Sequence, residues 1–211
     1  MRLSLIGMSS VGKSFCAKNL ATHHGYRRID CDALIEKKLA ETLEPLGLRG
    51  VEGMARWMGF PSDPGYAEKS RRYLDLERTV MRDVLDSLSQ NKEKSPLVVD
   101  TTGSVIYLGD DILNGLREKT RVIYFEASEE QKNQLFRSYS SVRPKPVIWD
   151  EAYAPRPDET AQQAMARGYA DLLRTRAERY KALAHLIIPT RDLADHWNHI
   201  GSFILQQIEA A

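Results

Sequence analysis

The stretch Gly7-Met8-Ser9-Ser10-Val11-Gly12-Lys13-Ser14 decides how this chain of 211 residues is read. It matches G-x-x-x-x-G-K-[ST] between an apolar run, Leu3-Ser4-Leu5-Ile6, and a helical pattern from Lys13 to about His24. A strand before the pattern and a helix after it are the context that phosphate binding requires. Gly7 and Gly12 let the backbone curl, so that successive N–H groups through Ser10 and Val11 point inward. The helix start, where Phe15 lies, adds the positive end of its dipole. Lys13 supplies a compact charge for the β- and γ-phosphates, and the Ser14 hydroxyl suits Mg²⁺. The expected ligands are ATP and Mg²⁺.

Four more strand candidates follow: Tyr26 to Ile29, Leu97-Val98-Val99, Val122 to Phe125, and Leu186-Ile187-Ile188. Between them lie helical patterns. Ser70 to about Ser89 carries Leu74, Met81, Val84, Leu85 and Leu88 on one stripe, and Thr160 to about Ala184 carries Met165, Tyr169, Leu172, Leu173, Tyr180 and Leu183. A last helix is expected over Leu193–Ala210. Continuous apolar strands alternating with helices predict a parallel sheet covered on both faces. Residues 41–69 and 138–158 break the alternation with many prolines and glycines. Long irregular segments within a compact domain are often binding loops or lids. They are read as a substrate-binding insertion and a lid within one domain spanning 1–211.

Lys plus Arg is 30 and Asp plus Glu is 29, a formal net charge of +1. That balance argues against a nucleic-acid partner held by a broad basic field. No run approaches the ~18 apolar residues of a membrane span. The first residues turn polar too soon for a secretory signal, so a cytoplasmic location is expected. The only cysteines, Cys16 and Cys31, are expected reduced. The expected partner is a small-molecule acceptor, with the protein a monomer or weak dimer.

Several carboxylates fall where strands end. Leu97-Val98-Val99-Asp100 is an apolar strand closing on an acid, a pattern that places Asp100 at the metal. Asp100-Thr101-Thr102-Gly103 also reads as the D-x-x-G of GTPases. No Asn-Lys-x-Asp follows, and Asn91-Lys92-Glu93-Lys94 lies upstream and lacks the acid. Asp30 and Asp32 follow the second strand, where alternation sends both to one side. One can face Mg²⁺ while the other accepts a proton from a hydroxyl. The competing reading is a turn in which Asp32 caps the next helix. Arg176 and Glu77 fall on the inward stripes of their helices, and an inward Arg needs an anionic partner. Trp57, Met58 and Phe60 line a pocket or anchor their loop. His196 and His199 are spaced for a metal, but no third ligand is evident.

Taken together, these residues resemble the shikimate kinase family of P-loop, nucleoside-monophosphate-kinase-like proteins. The P-loop, the D-x-D of Asp30-Cys31-Asp32, Arg143-Pro144 and the Arg176-to-Tyr180 helix follow the family's order along most of the chain. The resemblance implies a three-layer α/β/α sandwich with a five-stranded parallel sheet in the order 2-3-1-4-5, a helical substrate subdomain and a lid. It implies transfer of the ATP γ-phosphate to a hydroxyl of a small cyclic acid. Carried over by position, Asp30 holds Mg²⁺ through water, Asp32 is the base, and Arg143 reaches the transferring phosphate. Arg137 and Arg191 fall beside the nucleotide. Trp57, Glu77, Thr102, Gly103 and Arg176 fall around the acceptor. Thr101 and Thr102 stand where the family has glycines, and Leu74 stands where it has a substrate-binding Arg. The phosphate half of the pattern is intact, whereas the acceptor half is altered.

Overall fold

The computed structural model describes residues 1–90, 95–139 and 145–211. The strands are β1 (Arg2–Ile6), β2 (Arg27–Asp30), β3 (Leu97–Asp100), β4 (Arg121–Glu126) and β5 (Leu186–Pro189). They form one parallel sheet in the order β2-β3-β1-β4-β5. Each strand candidate of the sequence corresponds to a strand. Residues Leu97–Asp100 and Val122–Phe125 are buried without alternation, which requires cover on both faces because successive side chains point to opposite sides.

The helices provide that cover. They are α1 (Lys13–His23), α2 (Cys31–Lys38), α3 (Ala40–Leu43), α4 (Gly50–Met58), α5 (Tyr66–Gln90), α6 (Asp110–Lys119), α7 (Glu129–Tyr139), α8 (Ala161–Leu183), α9 (Thr190–Asp195) and α10 (Ile200–Glu209). Helix α1 packs on α10 and on strands β2 and β3, while α5 packs on α6 and both α6 and α8 meet β4. Thr160 starts α8 with a capping box. Its hydroxyl accepts from Gln163 N, and the Gln163 side chain reaches back to the Thr160 N–H. Cys16 and Cys31 are buried free thiols. Among the described residues no helix is long and apolar enough to cross a membrane.

Two expectations on local structure are corrected. Residues 41–69 are mostly helical, holding most of α3, all of α4 and the start of α5. The apolar residues Met54, Trp57 and Met58 bury one face of α4, and that packing outweighs the low propensity of its glycines. The last helix is not continuous: it breaks after Asp195, passes through a short turn at Trp197–His199 and restarts at Ile200.

Candidate active site

All five strands run the same way, so the segments that follow β1, β2 and β3 leave one edge of the sheet together. Three of the carboxylates and the phosphate-binding loop meet there. Gly7 has φ 137°, Ser10 φ 67° and Gly12 φ 101°, a run of left-handed turns that aims amides inward. A Cβ on Gly7 would stand 2.8 Å from the Phe125 carbonyl oxygen, so β4 leaves no room for one. Lys13 is buried and folds back over its own loop, donating to the carbonyls of Gly7 at 2.9 Å and Met8 at 2.8 Å. Burial lowers its pKa, while Asp100 and Asp32 pull it up.

Lys13, Ser10, Gly12, Ser14, Phe15 and Asp32 line one cavity of about 300 Å³, closed by Val51 of α4 and by Lys145. Val11 is buried beneath the loop. Asp32 is not the helix cap. Asp30 takes that place, its Oδ1 accepting from Ala33 N at 3.0 Å, and Asp32 lies in the first turn of α2. Strand alternation therefore does not relate the two acids, because β2 ends at Asp30. Burial pushes Asp32 up to about 6 despite the opposing pull of Lys13. The Tyr73 hydroxyl donates to it at 3.4 Å.

Asp30 and Asp100 are neighbours across β2 and β3, and Arg28 sits between them. One guanidinium nitrogen is 2.5 Å from Asp100 and 2.7 Å from Asp30. Both acids expected at the metal are thus committed to an ion pair, and Asp30 also to the α2 terminus. Among the described residues no group of three His, Cys, Asp or Glu side chains is arranged to hold a metal ion. The Ser14 hydroxyl and the Asp32 carboxylate, hard oxygen donors facing one cavity, do fit the chemistry of Mg²⁺. Arg28 was missed, although it lies two residues before Asp30 and therefore on the same side of β2.

The residues expected around the acceptor divide. Glu77 is fully buried; its oxygens accept from the hydroxyls of Thr102 and, at 2.5 Å, of Ser104. Burial raises Glu77 to about 7, partly offset by those two hydroxyls. The Gly103 carbonyl accepts from Tyr180 at 2.5 Å and from Arg176 at 3.3 Å. A Cβ on Gly103 would stand 3.2 Å from Ser9 Oγ, so the glycine permits the close approach of the segment after β3 to the phosphate loop. Arg176 also donates to Ile148 O at 2.7 Å and Tyr107 Oη at 3.3 Å, with its guanidinium carbon 5.3 Å from the Tyr107 ring centre. It forms no ion pair with a described carboxylate. Arg176 and Lys145 line a second cavity of about 270 Å³, together with Ser9, Ser10, Tyr139 and Tyr169. Ser9, Ser10 and Lys145 border both cavities.

Trp57 is buried in α4 beneath Arg72 and lines neither cavity. Arg137 is exposed near the end of α7, and Arg191 is exposed and paired with Asp192; neither borders the phosphate cavity. Arg143 lies outside the described residues. Wider grooves of about 490 and 620 Å³ open between α7 and α8 and around Tyr107, away from the phosphate loop.

No protein-family model and no curated protein matches the chain. Solved structures do. A shikimate kinase from Bacteroides thetaiotaomicron aligns over 99% of this chain and 98% of its own, at 18% identity and a TM-score of 0.61. A shikimate kinase from Acinetobacter baumannii, in complex with shikimate, aligns over 99% and 93% at 21% identity and a TM-score of 0.61. Dephospho-CoA kinase from Campylobacter jejuni aligns over 99% and 98% at 16% identity and a TM-score of 0.52. These likenesses show the fold: a three-layer α/β/α P-loop arrangement, which in this chain is built around a five-stranded parallel sheet in the order 2-3-1-4-5.

Proposed function

We propose that the chain is an ATP-dependent kinase that transfers the γ-phosphoryl group to a hydroxyl of a small anionic or polyhydroxylated acceptor. The observation that carries this reading is the cavity in which the curled loop, Lys13, Ser14 and Asp32 face one another. The loop amides and Lys13 bind and orient the polyphosphate. Asp32, poised near neutral pH by burial, accepts the acceptor's hydroxyl proton. The acceptor oxygen then bonds to the γ-phosphorus as the bridge to the β-phosphate breaks, leaving that electron pair on ADP. Mg²⁺, when bound with the nucleotide beside Ser14, neutralises charge on the phosphates. The resemblance to the shikimate kinase family assigns Arg143, which lies outside the described residues, to the transferring phosphate. Arg176, a buried cation without a described carboxylate partner, suits an anionic group on the acceptor.

A second reading, a non-catalytic ATP-binding sensor, is favoured by one observation. Glu77, Thr102, Ser104, Gly103 and Arg176 bind one another rather than standing open. One assay separates the two. ADP release is measured with Mg²⁺·ATP over a panel of cyclic acids including shikimate, polyols, nucleosides and dephospho-CoA. The kinase reading expects one acceptor to raise ADP release well above basal hydrolysis. It expects Lys13→Ala to reduce that rate by about 10²–10³-fold or more, the scale of a lost transition-state donor, with the fold intact by circular dichroism. Nucleotide binding without any responsive acceptor would leave the sensor. Turnover unchanged in Lys13→Ala would refute the kinase.

A further inference from the structure

In phosphate-loop proteins an apolar strand that closes on an acid beside the loop brings that acid to the metal. Strand β3 closes on Asp100 in this way, and the parallel register sets Asp30, the last residue of β2, directly beside it. Two adjacent carboxylates suit a hard divalent cation between them. A guanidinium fills that place instead. Arg28 Nη2 lies 2.5 Å from Asp100 Oδ2 and 2.7 Å from Asp30 Oδ2, and Arg28 Nε donates to the same Asp100 oxygen at 3.2 Å. The pair is sheltered, with the side chains of Arg28 and Asp100 only 17% and 3% exposed. The other Asp30 oxygen is engaged as well, accepting from Ala33 N at the start of α2.

We infer that Arg28 is a metal-excluding residue: its guanidinium takes the place of a divalent cation between Asp30 and Asp100, so that the protein acquires metal only together with the nucleotide, at Ser14 and Asp32. The nucleotide-borne metal belongs to the kinase reading, on which that part rests; the exclusion follows from the triad alone. Mg²⁺ needs oxygen ligands at about 2.0–2.1 Å in a near-octahedral set. A nitrogen within hydrogen-bond distance of both acids leaves no room for one. Nor can this cation depart by losing a proton, because arginine stays charged in proteins. Swinging the side chain out would leave Asp100 buried and unpaired, which is strongly unfavourable. The arrangement is built into the sheet: alternation puts Arg28 and Asp30 on one side of β2, and the register brings Asp100 to them. Ser14 and Asp32, by contrast, line an open cavity, and Asp32 has no ion pair among the described residues.

Mn²⁺ is the probe, its free ion counted by electron paramagnetic resonance. It is titrated into the 211-residue chain first without nucleotide and then with ADP. The wild type should take up no Mn²⁺ below about 1 mM without nucleotide, the weak end of oxygen-ligand sites, and should bind it once ADP is present. Arg28→Met should gain a nucleotide-free site near about 10⁻⁴ M, roughly tenfold or more tighter than any in the wild type. Adding Asp100→Asn should remove that site. Arg28→Lys, which keeps a cation between the acids, should exclude Mn²⁺ as the wild type does. Because Arg28→Met weakens the fold, thermal midpoints are read in parallel. Mn²⁺ should raise the midpoint of Arg28→Met and leave that of the nucleotide-free wild type unmoved, since an ion bound to the native state stabilises it. If the variant is unfolded at the outset, Mn²⁺ should restore its helical circular dichroism. Nucleotide-free uptake by the wild type below about 1 mM, or an Arg28→Met protein that neither binds Mn²⁺ nor is stabilised by it, overturns the exclusion and leaves the kinase reading standing. Failure of the wild type to bind Mn²⁺ with ADP overturns the nucleotide-borne metal and with it the kinase reading, while the Arg28 variants still decide the exclusion.

Discussion

Glu77→Gln should stabilise the protein at neutral pH and flatten the dependence of its stability on pH. Glu77 lies on the inward face of α5 with no exposed surface, and both its oxygens are held by hydroxyls, those of Thr102 and Ser104. Burial raises its pKa from 4.5 to about 7. An acid with a raised folded pKa binds its proton more tightly in the native state. Its contribution is therefore fully present below the unfolded value and is lost as pH climbs through the folded one. At about 1.36 kcal/mol per unit, that displacement corresponds to ~3 kcal/mol lost across the interval. Glutamine has the same shape and no charge. Its carbonyl accepts one hydroxyl, and its amide donates to the other, because a Ser or Thr hydroxyl can turn from donor to acceptor. The assay is urea unfolding of both proteins at intervals from about pH 5 to about pH 8. Asp32, also raised, is present in both proteins but adds to the push on Glu77, so the difference carries their coupling along with the Glu77 contribution. The variant should draw ahead as pH rises, by ~3 kcal/mol or somewhat less at the top of the range. Parallel curves, or a variant less stable at high pH, would refute the claim that burial of this carboxyl outweighs the two hydroxyls and the Arg176 charge that oppose it.

Two further perturbations probe the loop and the acids beside it. Gly7→Ala, at φ 137° with its new methyl 2.8 Å from Phe125 O, should cost about 1–3 kcal/mol in urea unfolding. It should also abolish tripolyphosphate binding in calorimetry; a variant that still binds would place the anion site elsewhere. Arg28→Met should cost about 3–5 kcal/mol, because Asp100 is only 3% exposed and loses the guanidinium beside it. Adding Asp100→Asn should recover most of that loss, whereas a thermal midpoint unmoved by either change would show the pair to be structurally idle.

The phosphate half of the site was legible because its information is local. Seven consecutive residues, Gly7–Lys13, fix both the positive-φ turns and the buried lysine, and the flanking strand and helix follow from periodicity. The strands were legible for a related reason. Strands β3 and β4 hold unbroken apolar runs, and a run buried on both faces needs no partner to be recognised, whereas β2, Arg27–Asp30, is mostly charged and partly exposed. Residues 41–69 were misread because glycine was taken only as a turn former. Gly53 lies inside α4, where a Cβ would stand 2.9 Å from the Leu48 carbonyl carbon, so it serves close packing within a helix. The continuous last helix was misread because the apolar stripe of α10 does not reveal where α9 stops.

The acceptor half depends on pairs that the sequence cannot bring together. Glu77 and Thr102 are far apart in the chain, as are Arg176 and Gly103, and each pairing requires α5 and α8 to be set against the end of β3. Thr102 stands where the resembled family has a glycine. In the fold its hydroxyl is, with that of Ser104, one of the two described hydrogen-bond partners of a fully buried carboxyl, so the threonine acts as a brace. The same logic applies to Arg28. The motifs of the sequence do not single it out, yet it neutralises Asp30 and Asp100 at once. A side chain introduced opposite a buried charge changes what that charge is free to do. Asp32, with no ion pair among the described residues, is thus the acid left lining the phosphate cavity with Lys13, and the proposed proton acceptance rests on it for that reason.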